Sequence, residues 1–434
     1  MTTRLDSRAD GFADGFAKLV DARRGAAVDV GETVAAILAD VRARGDAAVA
    51  DYTERFDHVR LGPGELRIAK AEIAAARQGC DNDALAALEL AAGRIESYHR
   101  RQSPQPIDYV DGAGVRLGAR YTPIGAVGIY VPGGTAAYPS TVMMNAIPAR
   151  VAGVVRIAMA VPAPGGKLNP LVLAAASLAG VDEIYRVGGA QAIAALAYGT
   201  ATIPAVDKIV GPGNAYVAAA KRQVAGIIGI DMEAGPSEVV IVADSANDPA
   251  WIAADLLAQA EHDAAAQSIL IADDAGFAEA VARAVDDRLA RLPRAVIARK
   301  SWTDHGAIIV VAALDEAVPL IDRLAPEHLQ LAVARPEVLA DRVRNAGAIF
   351  LGRYTPEAVG DYVAGPSHVL PTSRSARFSS GLGVADFMKR TSIVACDAAS
   401  LARIGPAAVT LAEAEGLDAH ALSVALRIGD NKAR

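Results

Sequence analysis

The sequence predicts an α/β protein in which parallel sheets are covered by helices. Short apolar runs that suit buried strands alternate with Ala-rich helical segments from Gly118 onward, and glycine turns separate them. The hydrophobic fraction is 52% and the aromatic fraction only 5%, which is typical of parallel strands packed against Ala-rich helices. With 434 residues the chain is too long for one ordinary core, so these elements must be divided between domains.

The first hundred residues are predicted to be helical. Val30–Arg44 and Asp83–Arg101 keep apolar residues at helical spacing, with charged residues on the opposite face. Residues 1–25 are expected to form a separate helical segment. Their charged start lacks an apolar core, so we expect no signal peptide and a cytoplasmic protein.

A first series of strands, each followed by a turn rich in Gly or Pro, begins near residue 124. Its members are Ile124–Val131, Val154–Val161, Glu183–Val187 and Lys208–Val210. Backbone N–H groups in such turns can hold a phosphate. No turn, including Pro132-Gly133-Gly134, completes G-x-G-x-x-G with an acidic residue about twenty positions later. A dinucleotide would therefore be held by a variant loop.

A second series of strands and helices occupies the next part of the chain. It comprises Val239–Ala243, Ser268–Ala272, a helix over 276–289, Ala307–Val311 and Ala348–Leu351. Two such series predict two Rossmann-like parallel-sheet lobes with a ligand cleft between them. We assign 26–129 with 238–380 to the first lobe and 130–237 to the second. The strand signal fades after Arg390, so 381–434 is predicted to be a small helical tail.

Charge and cysteine content exclude several classes of function. The net charge is −7 without a basic run, which argues against a nucleic-acid partner. The apolar segments are too short to span a membrane, so no membrane partner is expected. Cys80 and Cys396 make neither a disulfide framework nor a thiolate metal site.

Gln259 and His262 offer two potential metal ligands on one face of a predicted helix. They are three residues apart, and Leu256, Leu257 and Ala260 would form the buried side of that helix. A catalytic zinc normally takes three protein ligands and keeps one open position, so further ligands must come from elsewhere. An ordinary amphipathic helix with a polar Gln and His is the alternative interpretation.

Glu327 and His328 form a second candidate pair. Pro326 suits the first position of a helix, which predicts that both residues lie in its first turn. The helix dipole there would favour a neutral His328, which is a competent general base. Ordinary capping by Glu327 is the alternative.

Two further pairs of polar residues lie downstream. Asp361 and His368 are predicted to lie in a Gly- and Pro-rich loop, and loops of this kind often carry function. A surface Asp and a loop His without a role remain the alternative. Glu415 and His420 lie near the C-terminus, around Gly416, and would be unremarkable alone.

Taken together, many motifs resemble histidinol dehydrogenase in content and order. They are GIYVPGGTAAYPSTVMMNAIPA, VGGAQAIAALAYGT, KIVGPGNAYV, GPSEVVIVAD, DLLAQAEH, APEHLQL, TPEAVGDYVAGPSHVLPT, ARFSSGL and EAEGLDAH. The resemblance covers roughly residues 25–430. It implies a zinc-dependent enzyme that oxidises L-histidinol to L-histidine through an aldehyde, using two NAD⁺ in turn.

The resemblance also implies roles for individual residues. The zinc ligands match Gln259, His262, Asp361 and His420, and the acid/base pair matches Glu327 and His328. Substrate contacts match Ser237, His328, His368 and Glu415 in addition to the zinc ligands. NAD contacts match Tyr130, Gln191 and Asn214. The family further implies a homodimer in which the tail, with Glu415 and His420, completes the partner's site.

Three other functions remain open from the residues alone. A zinc hydrolase would also use His, Asp and Glu around a metal, but it leaves the two lobes and their glycine turns unexplained. A dehydrogenase of a related amino alcohol is the second. A non-catalytic two-lobed binding protein is the third, and it would normally require export.

Overall fold

The computed structural model describes residues 2–22, 30–62, 64–133, 138–232 and 235–429. Gly134 of the predicted phosphate turn and residues 23–25 of the predicted N-terminal segment lie outside these ranges. Among the described residues, no helix is long and apolar enough to cross a membrane.

Strands and helices are numbered separately in chain order. The strands are β1 (Thr3–Asp6), β2 (Ile107–Val110), β3 (Arg116–Pro123), β4 (Ala126–Tyr130), β5 (Arg156–Ala160), β6 (Glu183–Tyr185), β7 (Lys208–Val210), β8 (Gly229–Ile230), β9 (Glu238–Ala243), β10 (Gln267–Ala272), β11 (Ala307–Val310), β12 (His328–Ala332), β13 (Ala348–Leu351) and β14 (Met388–Ala395). The helices are α1 (Phe12–Asp21), α2 (Gly31–Arg44), α3 (Asp46–Asp57), α4 (Lys70–Gln78), α5 (Asn82–His99), α6 (Pro139–Ala152), α7 (Pro170–Ala179), α8 (Gly189–Tyr198), α9 (Ala215–Val224), α10 (Pro249–Ala260), α11 (Ala275–Leu289), α12 (Ala295–His305), α13 (Ala317–Leu324), α14 (Pro336–Ala340), α15 (Glu357–Tyr362), α16 (Ala398–Ala414) and α17 (Asp418–Ile428).

Two parallel sheets form the centres of two lobes, as the sequence predicts. The larger sheet has the order β1-β11-β10-β9-β12-β13, and the smaller has the order β6-β5-β4-β7-β8. Apart from β1, which joins the edge of the larger sheet, the chain starts each sheet at a central strand, builds outward on one side, and then crosses to the other side. This reversal creates a switch point between β9 and β12 and another between β4 and β7. The fold is thus α/β with two Rossmann-like lobes.

The central strands of both sheets are buried on both faces, which explains why their sequences are continuous apolar runs. Every residue of β9 and β10 is buried, as expected for parallel strands covered by helices on each side. The predicted strands in both series are present within one or two residues of their predicted ends. The two-residue β8, by contrast, has too little apolar sequence to be predicted.

Four strands at the edge of the larger sheet or in a small third sheet lie in segments predicted to be helical or left unassigned. β1, within 1–25, pairs in parallel with β11 at the edge of the larger sheet. β14, in the predicted helical tail, pairs antiparallel with β3, which also pairs with β2 in a small third sheet. These edge and surface strands are short or exposed, so they lack the apolar run that marks a buried strand.

Helices α2 to α5 pack on the smaller sheet. The prediction grouped residues 26–129, which contain these helices, with the first lobe instead. Val34 and Ile37 of α2 share a core with Ile209 of β7. Ile95 of α5 shares another core with Ile147 of α6. Periodicity predicts that a helix has an apolar face, but it carries no information about which sheet that face meets.

The C-terminal helices α16 and α17 form a hairpin with a small core of its own. Val409 and Ala412 of α16 pack there against Ala421 and Ala425 of α17. The predicted helical tail is therefore confirmed beyond β14.

Candidate active site

Most of the predicted site residues meet at the amino-terminal edge of the larger sheet. Glu327 and His328 lie at the start of β12, and Ser237 directly precedes β9. Helix α10 runs antiparallel to the strands, so its C-terminal end, with Gln259 and His262, returns to the same edge. In open α/β sheets ligands usually bind at the carboxyl ends of the strands. This cluster lies at the other edge, where the strands begin.

His328 is the first residue of a strand, so its predicted position in the first turn of a helix is wrong. The preceding helix α13 ends at Leu324, and Ala325 turns the chain with a φ of 45°. Leu329 and Leu331 are fully buried within β12. A central strand that is buried on both faces shows no alternation of apolar and polar residues. Pro326, which favours a helix start, was therefore the strongest local signal.

The helix carrying Gln259 is confirmed, but it ends two residues before His262. Leu256, Leu257 and Ala260 are buried as predicted. The His262 N–H donates to the Gln259 carbonyl at 3.2 Å, which keeps the two residues within one tight turn. Gln259 is fully buried, and neither atom of its side-chain amide has a hydrogen-bond partner in the described chain. A buried amide without partners is costly, so this group is suited to a ligand.

The backbone of Glu238 holds both members of the candidate catalytic pair. Its N–H donates to Oε2 of Glu327 at 2.9 Å, and its carbonyl lies 3.0 Å from Nδ1 of His328. Because a carbonyl only accepts, Nδ1 of His328 is the donor in this bond, and Nε2 is the nitrogen with the lone pair when the ring is neutral. Nε2 is buried without a hydrogen-bond partner among the described residues. The pair is therefore oriented by β9, with one ring nitrogen ready to accept a proton.

Asp361 lies between three imidazoles. Its Oδ2 is 3.7 Å from Nε2 of His262. Its Oδ1 is 3.9 Å from Nε2 of His328 and 3.7 Å from Nδ1 of His368. Asp361 lies on helix α15 rather than in the predicted loop, whereas His368 does lie in a loop. Glycine and proline surround this six-residue helix, so its sequence shows no helical period.

Glu357 is a member of the cluster that the sequence did not single out. It precedes Asp361 by four residues on α15, so both carboxylates leave one helix face, which was the available signal. Its Oε1 is 3.8 Å from Nε2 of His328. Burial raises the pKa of Glu357 to about 7, and the neighbouring carboxylates oppose the lowering effect of His328.

The buried side-chain amide of Gln330 connects Glu357 to Asp255. The side chain of Gln330 accepts the Glu357 N–H at 3.3 Å and donates to Asp255 at 2.7 Å. Burial raises the pKa of Asp255, and the hydrogen bond from Gln330 opposes that rise. The inner wall of the site is thus a hydrogen-bonded layer between β12 and two helices.

The smaller lobe contacts the cluster through helix α6. Oγ1 of Thr141 lies 3.4 Å from Nε2 of His368, and Oγ of Ser367 donates to the Met144 carbonyl at 3.2 Å. Burial lowers the pKa of His368, which favours a neutral ring, while Asp361 opposes this effect. Because α6 follows β4, it links the carboxyl edge of the smaller sheet to the amino edge of the larger one. The cluster therefore lies at the junction of the lobes.

The residues predicted to contact NAD surround the carboxyl edge of the smaller sheet. Tyr130 ends β4, and its hydroxyl oxygen accepts the Gly189 N–H at 3.1 Å. Burial raises the pKa of Tyr130 to about 12, so its hydroxyl stays protonated. Gln191 lies buried in α8, and Asn214 caps α9 by accepting two backbone N–H groups. Tyr130 and Asn214 flank the switch point between β4 and β7.

The corresponding crevice of the larger sheet is filled by its own side chains. Oδ2 of Asp244 accepts the Ala334 N–H at 2.8 Å, and Nδ2 of Asn247 donates to the Ala332 carbonyl at 2.6 Å. These contacts close the carboxyl ends of β9 and β12. The switch point of the larger sheet is thus occupied by contacts within the chain.

Glu415 and His420 are separate from the cluster within this chain. Both are exposed on the C-terminal hairpin. In the part of the chain that the structure describes, neither forms a hydrogen bond or ion pair with the site residues. The arrangement leaves Gln259, His262 and Asp361 as three of the four predicted metal ligands in one chain.

Two sets of side chains at this site could hold a metal ion. Gln259, His262 and Asp361 form the predicted set, whereas His328, Glu357 and Asp361 offer ligand atoms within 4.8 Å of one another. Two ligand atoms on one tetrahedral zinc are separated by about 3.3 Å, given the usual bond lengths. The 3.7 Å between His262 and Asp361 is near this value. The unpartnered buried amide of Gln259 favours the predicted set.

Comparison with known proteins identifies the family. The family model described as histidinol dehydrogenase matches residues 21–428. Histidinol dehydrogenase from Rhodospirillum rubrum is 64% identical over 429 residues, covering 99% of both chains. That from Gluconobacter oxydans is 61% identical and covers 99% of this chain and 100% of its own.

The chain belongs to the histidinol dehydrogenase family. The crystal structure of histidinol dehydrogenase from Elizabethkingia anophelis has a TM-score of 0.94 at 36% identity, with 99% of this chain and 98% of that one covered. The family match continues to the last residue of α17, Ile428. The hairpin is thus part of the family fold.

Proposed function

We propose that this protein oxidises L-histidinol to L-histidine in two NAD-linked steps, through histidinal, with zinc bound at the active site. The observation that supports this proposal lies at the junction of the lobes. There the acid/base pair Glu327 and His328, held by the Glu238 backbone, lies with Asp361 and the buried, unpartnered amide of Gln259. The crevice of the smaller lobe lies beside this junction through α6. Membership in the histidinol dehydrogenase family supports the choice of substrate.

We assign proton transfer during alcohol oxidation to His328. Its Nδ1–H is fixed on the Glu238 carbonyl at 3.0 Å, so the free Nε2 can take the proton of the substrate hydroxyl. Bound NAD⁺ would receive the hydride that leaves the same carbon. Asp361 and Glu357, both within 4 Å of Nε2, favour the positive charge that develops on the ring.

Glu327 suits the second oxidation. An aldehyde must first add water, so that the hydrate offers a C–H hydride, and a carboxylate can take a proton from that water. Glu327 is held by the Glu238 N–H next to His328, with its Oε2 3.6 Å from Nδ1. Once the first proton has passed to solvent and NADH has been replaced by a second NAD⁺, His328 would again take the hydroxyl proton. The two oxidations can therefore use one site without moving the substrate.

We propose that Gln259, His262 and Asp361 hold the zinc, with His420 of the partner subunit as the fourth ligand. Bound zinc would fix the imidazole and amine of the substrate and so orient the reacting carbon. His368 and Ser237, with Glu415 of the partner subunit, would supply further contacts to the substrate. Tyr130, Gln191 and Asn214 would contact NAD at the crevice of the smaller sheet.

A shared site accounts for the exposed C-terminal hairpin. Its core contains residues of α16 and α17, while Leu411, Leu417 and Leu426 expose 64%, 42% and 62% of their surface. Apolar side chains in such a patch favour a protein partner. A symmetric homodimer that exchanges hairpins would cover them and bring Glu415 and His420 to the opposite site. The cytoplasmic location stays a prediction from the sequence.

The test is the yield of NADH per L-histidinol consumed by the purified protein. The proposal expects two NADH and one L-histidine. One NADH with histidinal accumulating would indicate an alcohol dehydrogenase, and turnover of a related amino alcohol alone would change the substrate. Hydrolysis without NADH would identify the zinc hydrolase and overturn the proposal. His328→Asn protein is the matched control for NADH produced by contaminating enzymes.

A further inference from the structure

A single glycine controls the turn that follows β7. Gly211 has a φ of 107°, and a Cβ at this position would lie 2.2 Å from the carbonyl oxygen of Tyr130. The backbone of the turn therefore approaches the end of β4 more closely than any side chain permits. Asn214 follows three residues later. The conformation of Gly211 thus fixes the spacing between two of the proposed NAD contacts.

A buried ion pair holds both polar groups of the Gly211 backbone. Nζ of Lys221, on α9, donates to the Gly211 carbonyl at 2.9 Å and contacts the Asp231 carboxylate. Oδ2 of Asp231, after β8, accepts the Gly211 N–H at 2.7 Å. The two side chains are only 3% and 1% exposed. The pair therefore clamps the turn between β7, α9 and the end of β8.

Stability is a weak explanation for such a pair. The cost of removing two charges from water offsets most of their attraction, and apolar replacements are often as stable. The clamp instead fixes one backbone conformation at the switch point, where a dinucleotide would bind. Lys221 and Asp231 are buried and contact the Gly211 backbone. They would therefore affect a ligand only by fixing the conformation of this turn, not by touching the ligand.

We propose that Lys221 and Asp231 are positioning residues for NAD, which hold the Gly211 turn in its binding conformation. This inference rests on the proposed function, because it takes the crevice between β4 and β7 as the NAD site. A turn that spends only about a tenth of its time in the competent conformation would weaken apparent NAD affinity roughly tenfold. Binding of histidinol at the other lobe should not change.

The test is the double variant Lys221→Met with Asp231→Leu, which leaves no unpaired charge in the core. Its KM for NAD should rise about tenfold or more, while kcat at saturating NAD, the KM for histidinol and the zinc content stay near wild type. Lys221→Gln with Asp231→Asn also leaves no unpaired charge, keeps an acceptor for the Gly211 N–H, and should give a smaller rise. This polar pair also serves if the apolar double variant does not fold.

The matched control is the Arg156–Glu183 pair at the amino edge of the same sheet. Nε of Arg156 lies 3.2 Å from Oε2 of Glu183. Arg156→Met with Glu183→Gln should lower Tm without changing the KM for NAD. Equal rises for both pairs, or a wild-type KM in the Lys221 and Asp231 variants, would overturn the inference. Asn214→Ala separates the two proposals: if it too leaves the KM for NAD unchanged, the proposed NAD site fails as well.

Discussion

Replacement of Glu327 by Gln should separate the two oxidations. The Gln oxygen can still accept the Glu238 N–H, which Glu327 accepts at 2.9 Å, so the local geometry should persist. The variant loses a base for the attacking water and a negative charge next to His328. The first loss affects only aldehyde oxidation, whereas the second affects both steps.

The size of the charge effect follows from the distance between the two side chains. Oε2 of Glu327 lies 3.6 Å from Nδ1 of His328, and two unit charges at this separation attract by about 4 to 5 kcal/mol at an effective dielectric constant near 20. If about half of the charge has developed in the transition state, roughly 2 kcal/mol is lost, or about 30-fold in rate. Aldehyde oxidation should fall by a further factor of about 10²–10⁴, the usual value of a general base.

The assay measures NADH formation in single turnovers, with histidinol or histidinal supplied separately. His328→Asn is the comparison, and it should impair both half-reactions to a similar extent. Zinc content and Tm of each variant must match wild type. Equal losses in the two half-reactions of the Glu327→Gln protein would refute the assignment of Glu327 to water activation.

Three further predictions concern the metal, the dimer and acid stability. Asp361→Asn should lower the zinc retained after dialysis and the activity restored by added zinc, and full zinc content would contradict its role as a ligand. When inactive His262→Ala and His420→Ala chains are unfolded and reassembled together, about a quarter of wild-type sites should return; no recovery would refute shared sites. Burial lowers the pKa of His99 in the folded protein. As pH falls below about 6.5, His99 is therefore protonated in the unfolded chain before it is protonated in the folded one, and stability falls. His99→Phe should therefore lose less stability than wild type between pH 7 and 5, measured as Tm at each pH; identical losses would contradict this.

Much of the candidate site could be predicted from residue types and motifs. Gln259 and His262 were found from helical spacing, and their helix is present with its buried leucines. Glu327 and His328 were assigned to the wrong element, although the structure brings them to the same cluster as Asp361. The helix-dipole argument for a neutral imidazole does not apply, because His328 begins a strand. The tautomer of His328 depends instead on the Glu238 carbonyl.

The sequence by itself determined the two lobes, because strands buried on both faces and amphipathic helices leave local patterns that survive without knowledge of their partners. The tertiary structure alone decided which residues share the site. The Glu238 backbone reaches Glu327 across 89 positions, and Thr141 reaches His368 across 227. It also decided that Lys221 and Asp231 clamp Gly211. Such contacts depend on which strand lies beside which, and strand order is fixed by packing of the whole chain rather than by any local run of residues.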